Sequence, residues 1–136
     1  MQALKILVID DRAADIEHAA SILQQQGHTI LSAFDGSEGV QLAESNLPDL
    51  ILMDLVMPEL NGFQATRELG RNEATKHIPV IIISCKDEES DKVWALKQGA
   101  RAYLPKGFDD ESLLGAITMV MAEDHRSRDL PQQVAE

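Results

Sequence analysis

Short aliphatic runs alternate along the chain with segments in which apolar residues recur at helical spacing. The aliphatic runs predict strands over residues 4–9, 28–33, 49–54, 79–84 and 101–105. The intervening segments predict helices over residues 13–26, 36–46, 62–75, 88–98 and 110–122. Strand–helix units in succession predict an α/β fold with a mainly parallel sheet and helices on both faces.

The C-terminal segment does not share this pattern. Residues 123–136 lose the hydrophobic periodicity that precedes them. We therefore expect one domain over residues 1–122, followed by a flexible, solvated tail. A chain of 136 residues has room for one such domain with a proper core.

The charge of the chain restricts its partners. Lys and Arg number 12 against 23 Asp and Glu, for a formal net charge of −11, which disfavours binding to nucleic acid or anionic lipid. No apolar run approaches the roughly 20 residues that span a membrane, and the N-terminus has no signal-peptide pattern. A single cysteine fits a reducing cytosol. We expect a cytoplasmic protein whose acidic excess serves solubility or gathers carboxylates around a cation.

Polar residues end or directly follow four of the predicted strands. Asp10 and Asp11 follow the first, Asp54 ends the third, Ser84 ends the fourth and Lys106 follows the fifth. Because ligands of such sheets bind outside the carboxyl ends of the strands, we expect these side chains to converge on one edge. Each alone has an ordinary explanation, as a turn residue, a hydroxyl bonded to backbone or a surface lysine. Their joint occurrence favours a site.

These residue types are suited to phosphoryl transfer. Neighbouring carboxylates need a compensating charge, which Mg²⁺ supplies through oxygen ligands. A carboxylate can also accept a phosphoryl group, provided that cationic and hydroxyl donors neutralise the phosphoryl oxygens. We predict that Asp54 is the nucleophile, that Asp10 and Asp11 hold the metal, and that Lys106 and Ser84 are the donors.

Four motifs carry a resemblance to a known family. They are "VIDDR" (8–12), "LILMDLVMPELNGF" (50–63), "PVIIISCKD" (79–87) and "GARAYLPKGF" (99–108). Over residues 4–122 the chain resembles a response-regulator receiver domain of the CheY-like kind. The wording "NGFQATRE" (61–68) and "DKVWALKQGARAYL" (91–104) further resembles the stand-alone regulators of type IV pilus twitching systems.

The resemblance implies a flavodoxin-like fold and a set of site residues. The implied strand order is 2-1-3-4-5. Asp54 would be the phosphoacceptor and Asp11 a direct Mg²⁺ ligand, whereas Asp10 would act largely through water. The backbone carbonyl of Val56 would complete the protein ligands.

The resemblance also implies a conformational switch. Ser84 and Tyr103 would form the switch pair, in which the hydroxyl moves toward the phosphoryl group and the aromatic ring turns inward. The surface that partners read would comprise the fourth helix, the fifth strand and the fifth helix, with Lys92, Arg101, Tyr103 and Lys106. The phosphorylated arrangement must bind the phosphoryl group better than the resting one for the switch to operate.

The implied partners are other proteins. The phosphoryl donor would be a histidine kinase or a histidine phosphotransfer protein, and the output would be contact between a monomer or weak dimer and a further protein. The alternative is a phosphate sink that drains a shared kinase.

A phosphohydrolase of the haloacid-dehalogenase type is a rival, but that family places a second Asp where this chain has Val56. A pseudo-receiver would lack the acceptor, the acids or the lysine, and a P-loop is absent. We therefore expect a protein that is not an enzyme beyond its own phosphorylation and dephosphorylation.

One motif departs from the family. Receivers usually follow the rim lysine with proline through a cis bond, whereas this chain reads Leu104-Pro105-Lys106-Gly107. A cis bond costs roughly 2.5–4 kcal/mol before a non-proline residue, against about 0.5–1 kcal/mol before proline. Glycine reaches backbone angles closed to other residues, and Pro105 is tolerable on an edge strand. We predict a trans Lys106–Gly107 bond, with Lys106 still directed at Asp54.

Two positions are predicted to set the lifetime of the phosphorylated state. Val56 and Lys86 lie two residues after the acceptor and two after the switch serine, beside the path of an attacking water. Val56 cannot orient water by hydrogen bonding, and Lys86 can cover or pair with the phosphoryl group. We expect slow hydrolysis.

The remaining candidate residues have structural explanations. The histidines are not spaced as helical metal ligands, and we expect surface or packing roles for His18, His28, His77 and His125. We interpret Cys85 as a small buried hydrophobic residue, with a redox role as the alternative. Trp94 belongs to the fourth helix, where packing is the expected role.

Overall fold

A computed structural model describes residues 2–86 and 88–129, with the backbone alone from 125 to 129. The strands are β1 (Lys5–Ile9), β2 (Thr29–Ala33), β3 (Leu50–Asp54), β4 (Val80–Ser84) and β5 (Ala102–Pro105). The helices are α1 (Ala13–Gln25), α2 (Gly36–Asn46), α3 (Gly62–Arg71), α4 (Glu89–Lys97) and α5 (Asp110–Asp129). Each strand begins one residue later than the aliphatic pattern predicts. In the described part of the chain, no helix combines the length and apolar character needed to cross a membrane.

The strands form one parallel sheet in the order β2-β1-β3-β4-β5, as predicted. The register pairs Asp54 with Ile83 and Ser84 with Pro105, so the last residues of β3, β4 and β5 lie side by side. Pro105 stands on an edge strand, as expected, where a missing N–H does not interrupt a ladder. The sheet therefore places the carboxyl ends of all its strands at one edge, here called the rim.

The sheet is buried on both faces, which explains the continuous aliphatic runs. Alternate residues of β1 and β3 belong to two separate hydrophobic clusters, because successive strand side chains point to opposite faces. Helices α1 and α5 cover one face, through Ile16, Ala19, Ile22, Leu23, Leu113, Ile117 and Val120. Helices α2, α3 and α4 cover the other, through Ala43, Ala65, Leu69 and Ala95. Helices thus lie on both faces, as predicted.

Helix α3 is shorter than predicted. It ends at Arg71, whereas the pattern predicted helix to residue 75. Asn72 adopts an extended conformation, and its side-chain oxygen accepts a hydrogen bond from the N–H of Ala74 at 2.8 Å. The buried hydroxyl of Thr75 donates to the carbonyl of Leu69 at 2.7 Å. These side-chain bonds replace the next turn of helix.

Helix α5 is longer than predicted. It continues to Asp129, so residues 123–129 are helical although they lack hydrophobic periodicity. The carboxylate of Asp124 is buried and lies 3.7 Å from the guanidinium of Arg101, next to β5. This contact gives the added turns a tertiary anchor that hydrophobic periodicity cannot reveal. Residues 130–136 lie outside the described part, and the domain boundary at 122 stays a prediction.

Gly62 lies where α3 approaches the end of β3. A Cβ atom at this position would lie 2.5 Å from the carbonyl oxygen of Asp54 and 2.8 Å from the Cα of Leu55. The N–H of Gly62 donates to the carbonyl of Leu55 at 2.9 Å, which fixes this close approach. Because the neighbouring atoms are backbone, they cannot move aside as a side chain could.

We predict that Gly62→Ala destabilises the fold by about 1–3 kcal/mol, the usual cost of inserting a methyl group into a filled space. Gly70→Ala on the same helix is the matched control, since a Cβ there meets nothing within 4 Å. It should be stabilising by up to about 1 kcal/mol through helix propensity. Urea unfolding measures both variants. A Gly62→Ala protein as stable as the wild type would contradict the close packing at this position.

Candidate functional site

Three aspartates meet at the rim, as predicted. Asp10 follows β1 and Asp54 ends β3, and these residues are 5% and 4% exposed, whereas Asp11 is exposed. The backbone N–H of Asp10 donates to the carbonyl of Ala33 at 3.1 Å, and its Oδ1 accepts from the N–H of Arg12 at 3.0 Å. One carboxylate oxygen from each aspartate lies within 4.8 Å of the others. The strand ends therefore bring three acidic groups to one point.

Lys106 supplies the opposite charge. Its backbone N–H donates to the carbonyl of Ser84 at 2.8 Å, which extends the pairing of β4 and β5 by one residue. Its Nζ lies 3.0 Å from Oδ2 of Asp10 and 3.1 Å from Oδ1 of Asp54. The prediction that Lys106 points at Asp54 is confirmed.

The loop after this lysine has the expected backbone. No peptide bond among the described residues is cis, so the Lys106–Gly107 bond is trans, as predicted. Gly107 has φ of +91°, in the left-handed region that glycine occupies at little cost. A glycine at 107 thus delivers the lysine to the aspartates without a cis bond.

The charges at the rim are not fully compensated. Burial and the charge of Asp10 raise the pKa of Asp54 to about 6, although a hydrogen bond from Lys106 opposes the shift. Burial also raises the pKa of Asp10, again against Lys106. For Lys106, burial disfavours the charged form, but hydrogen bonds to Asp15, Asp10 and Asp54 outweigh it and raise the pKa of the ammonium. One ammonium therefore leaves an excess of negative charge.

The donor set fits a hard divalent cation. Carboxylate oxygens are the ligands that Mg²⁺ prefers, and it commonly uses one or two carboxylates together with water and phosphate oxygens. The raised pKa of Asp54 indicates that further positive charge would be favourable there. An open cleft of about 250 Å³ leads to this point and is lined by Asp11, Arg12, Asp54, Val56, Cys85 and Lys106.

Ser84 and Tyr103, the predicted switch pair, contact the same backbone segment. Ser84 is fully buried at the end of β4, and its Oγ accepts a hydrogen bond from the N–H of Lys86 at 3.0 Å. The hydroxyl of Tyr103 donates to the carbonyl of Lys86 at 2.6 Å. Through Lys86, the strand end beside Asp54 is therefore linked to the partly buried ring on β5.

The interpretation of Cys85 was wrong. It is exposed and lines the cleft, because β4 ends at Ser84 and the chain turns outward at the next residue. Trp94 is only half-buried, and its ring meets Phe63 edge-on at 6.4 Å, so it packs in part as expected.

The described histidines have the predicted surface and packing roles. The Nδ1 of buried His28 accepts from the N–H of Leu4 at 3.0 Å, and the ring of His18 lies 5.1 Å from that of Phe108. His77 is exposed, and the side chain of His125 lies outside the described residues.

Asp15 is a site residue that the sequence patterns did not single out. Its Oδ2 lies 2.8 Å from Nζ of Lys106, a shorter distance than either predicted partner shows. Helix α1 begins two residues after Asp11, so its first turn lies over the carboxyl end of β1. The sequence signal that could have identified Asp15 was an acidic residue in the first turn of α1.

Comparison with known proteins decides the family. The family model described as "Response regulator receiver domain" matches residues 6–118. The chain is a response-regulator receiver domain. This receiver is 49% identical to Protein PilH of Pseudomonas aeruginosa over 118 residues, which cover 87% of the chain and 98% of PilH. It is 37% identical to Protein PilG of the same organism over 114 residues, 84% of each chain.

Solved structures agree with this family. The receiver superposes on the Vibrio cholerae chemotaxis protein CheY4 with a TM-score of 0.82 and 26% identity, over 88% of this chain and 99% of that one. It superposes on the receiver domain of the Francisella response regulator 1452 with a TM-score of 0.80 and 30% identity, over 91% of this chain and 98% of that one. The CheY-like resemblance is confirmed, and membership in a signalling family argues against the phosphohydrolase alternative.

We predict that the effect of Asp54→Asn on stability depends on pH in the metal-free receiver. The raised pKa means that ionised Asp54 lowers stability above about pH 6, a cost that is lost as the pH falls toward the ordinary value of 3.8. The difference between these two pKa values corresponds to at most about 3 kcal/mol in the free energy of unfolding. Relative to wild type, the variant should therefore gain stability between pH 5 and pH 8.

Urea unfolding of both proteins in EDTA at pH 5 and pH 8 measures this difference. Other titrating groups are common to both chains, so most of their contribution cancels. An equal stability difference at the two pH values would show that Asp54 titrates near its ordinary value.

Proposed function

We propose that this receiver accepts a phosphoryl group on Asp54 from a histidine kinase or histidine phosphotransfer protein, with Mg²⁺ at the rim. One observation carries the proposal. The ammonium of Lys106 lies 3.0 Å from Asp10 and 3.1 Å from Asp54, within a cluster of three carboxylates whose ligand atoms lie within 4.8 Å of one another. This arrangement provides a nucleophile, a cation site and a fixed positive donor.

The transfer itself is a single displacement at phosphorus. A carboxylate oxygen of Asp54 forms the new P–O bond, while the P–N bond of phosphohistidine breaks and its electron pair returns to the imidazole nitrogen. With acetyl phosphate, a P–O bond breaks and acetate leaves. A pKa of about 6 keeps most of Asp54 ionised at neutral pH, which is the form that attacks.

The surrounding groups neutralise the charge on the transferred group. Mg²⁺, when bound, supplies positive charge next to the phosphoryl oxygens. Asp10, Asp11 and Asp54 would hold it, together with the backbone carbonyl of Val56 that the family resemblance implies. Lys106 and Ser84 would donate hydrogen bonds to the phosphoryl oxygens from the other side.

We propose that the signal leaves through the surface formed by α4, β5 and α5. Helix α4 exposes Val93, Trp94 and Leu96, which are 44%, 47% and 52% exposed, and such a patch suits contact with another protein. The bonds from Ser84 and Tyr103 to Lys86 connect this surface to the rim. A phosphoryl group that draws the hydroxyl of Ser84 away from Lys86 would change the position of the Tyr103 ring.

The pathway we propose is a type IV pilus twitching system, in the cytosol and with the receiver acting as a monomer or weak dimer. Its support is the resemblance of residues 61–68 and 91–104 to the regulators of such systems. The 49% identity to PilH over nearly the whole of that protein agrees with this choice.

We predict that Asp54→Asn abolishes labelling by acetyl phosphate and Mg²⁺, because the amide is not a nucleophile. Asp49→Asn is the matched control. Asp49 stands just before the same strand at the opposite edge, where it accepts from the N–H of Lys5 at 2.8 Å. This control should be labelled as the wild type is. Asp11→Asn should keep the acceptor but require more Mg²⁺.

Intact-mass measurement and phosphate release distinguish the alternatives. One phosphoryl group per wild-type chain supports a receiver that is phosphorylated, whereas continuous phosphate release would indicate a hydrolase. No labelling of the wild type would indicate a pseudo-receiver. Stoichiometric labelling of Asp54→Asn would contradict the assignment of the acceptor.

We also predict that Lys86→Ala shortens the lifetime of the phosphorylated receiver. Lys86 follows the rim residues Ser84 and Cys85, and its side chain is the one we expect to shield the phosphoryl group from water. Lys97→Ala, at the far end of α4, removes an equal charge and should leave the lifetime unchanged. The decay of labelled protein after removal of the donor gives the rate. A lifetime equal to or longer than that of the wild type would count against Lys86.

A further inference from the structure

Asp15 makes the shortest contact of the rim lysine. Its Oδ2 lies 2.8 Å from Nζ of Lys106, against 3.0 Å for Asp10 and 3.1 Å for Asp54. The ammonium has three N–H donors, and three carboxylates from three different segments surround it. These are the end of β1, the end of β3 and the first turn of α1.

The side chain of Lys106 is 13% exposed, and its charged end lies against these three carboxylates. An ammonium is a point charge on a flexible four-carbon stem. The backbone of Lys106 is held by the 2.8 Å bond from its N–H to the carbonyl of Ser84, but the long stem beyond leaves the position of the ammonium to the contacts that the ammonium makes. The position of the charge therefore depends on the carboxylates that surround it.

Asp15 differs from the other two carboxylates because it lies outside the cluster that could hold a metal ion. Asp10 and Asp54 belong to the group whose ligand atoms lie within 4.8 Å of one another, and Asp15 does not. Under the proposed function, Asp54 becomes phosphorylated to an acyl phosphate and Asp10 would help to hold a cation. Asp15 takes no part in either event, so its contact with Lys106 can persist throughout the reaction.

We propose that Asp15 is a positioning residue that holds the ammonium of Lys106 in line with the phosphoryl group entering at Asp54. The contact to Asp54 passes to a phosphoryl oxygen, and the contact to Asp15 keeps the stem from swinging away. The guanidinium of Arg12, 3.6 Å from the same Oδ2, is largely exposed and contributes little to this arrangement.

The test compares Asp15→Asn with Glu17→Gln. Both remove one negative charge from α1, but Glu17 is exposed and lies among Ala20, Ser21, Gln24 and Gln25, away from Lys106. We expect Asp15→Asn to slow labelling by acetyl phosphate at saturating Mg²⁺ about tenfold, since a displacement of about 1 Å can cost up to about a hundredfold. Glu17→Gln should be labelled at the wild-type rate. Asp15→Glu, which keeps the charge, should recover part of the loss.

A second readout separates positioning from a purely structural effect. In ¹⁵N-labelled protein the ammonium of Lys106 should give its own resonance, because close contacts with three carboxylates slow its exchange with water. That resonance should be lost in Asp15→Asn and kept in Glu17→Gln, while thermal unfolding shows that both variants fold.

The inference rests on the proposed function, but the two can fail separately. An unlabelled wild type would refute the proposed function and the inference together. A labelled wild type with Asp15→Asn labelled at the same rate or faster would refute only the inference. A slower variant that keeps the Lys106 resonance would also refute it, because the lysine would then be held without Asp15.

Discussion

The ammonium of Lys106 is the charge on which the rim depends. Asp10 and Asp54 are almost fully buried and carry like charges, which would repel if nothing lay between them. Contacts of 3.0 Å and 3.1 Å with one ammonium allow both to remain. The compensation is incomplete, because the pKa of Asp54 is still raised to about 6. A site in this condition favours the arrival of more positive charge, and this is the physical basis of the proposed cation site.

The topology of the sheet brings these charged side chains together. Parallel strands all end at the same edge, and the order β2-β1-β3-β4-β5 places β1 and β4 on either side of β3. Asp54 at the end of β3 thus has the acidic pair on one side and Ser84 on the other. Helices on both faces bury the strands and leave their ends as the open part of the sheet. Gly62 allows α3 to begin directly against the end of β3.

The sequence predicted the parts of the structure that depend on local patterns. Aliphatic runs located each strand to within one residue, because strands buried on both faces leave a continuous signal. Single polar side chains make contacts after α3 and within α5, at Thr75 and Asp124, and hydrophobic periodicity does not report them. Asp15 was missed for a similar reason, since its partner Lys106 lies 91 positions away along the chain. The predicted burial of Cys85 was wrong because this residue directly follows a buried strand, and the hydrophobic pattern does not show that the chain turns outward there.

We propose that a phosphoryl group at Asp54 changes the rim and that this change is transmitted to the surface of α4, β5 and α5. Amide resonances of ¹⁵N-labelled receiver, recorded before and after addition of beryllofluoride and Mg²⁺, test this most directly. We expect large shifts at the strand ends around Asp54 and Lys106, and further shifts at Lys86, at Tyr103 and along α4. Shifts confined to the strand ends, with α4 and β5 unchanged, would contradict transmission, and an unchanged spectrum would contradict the site itself.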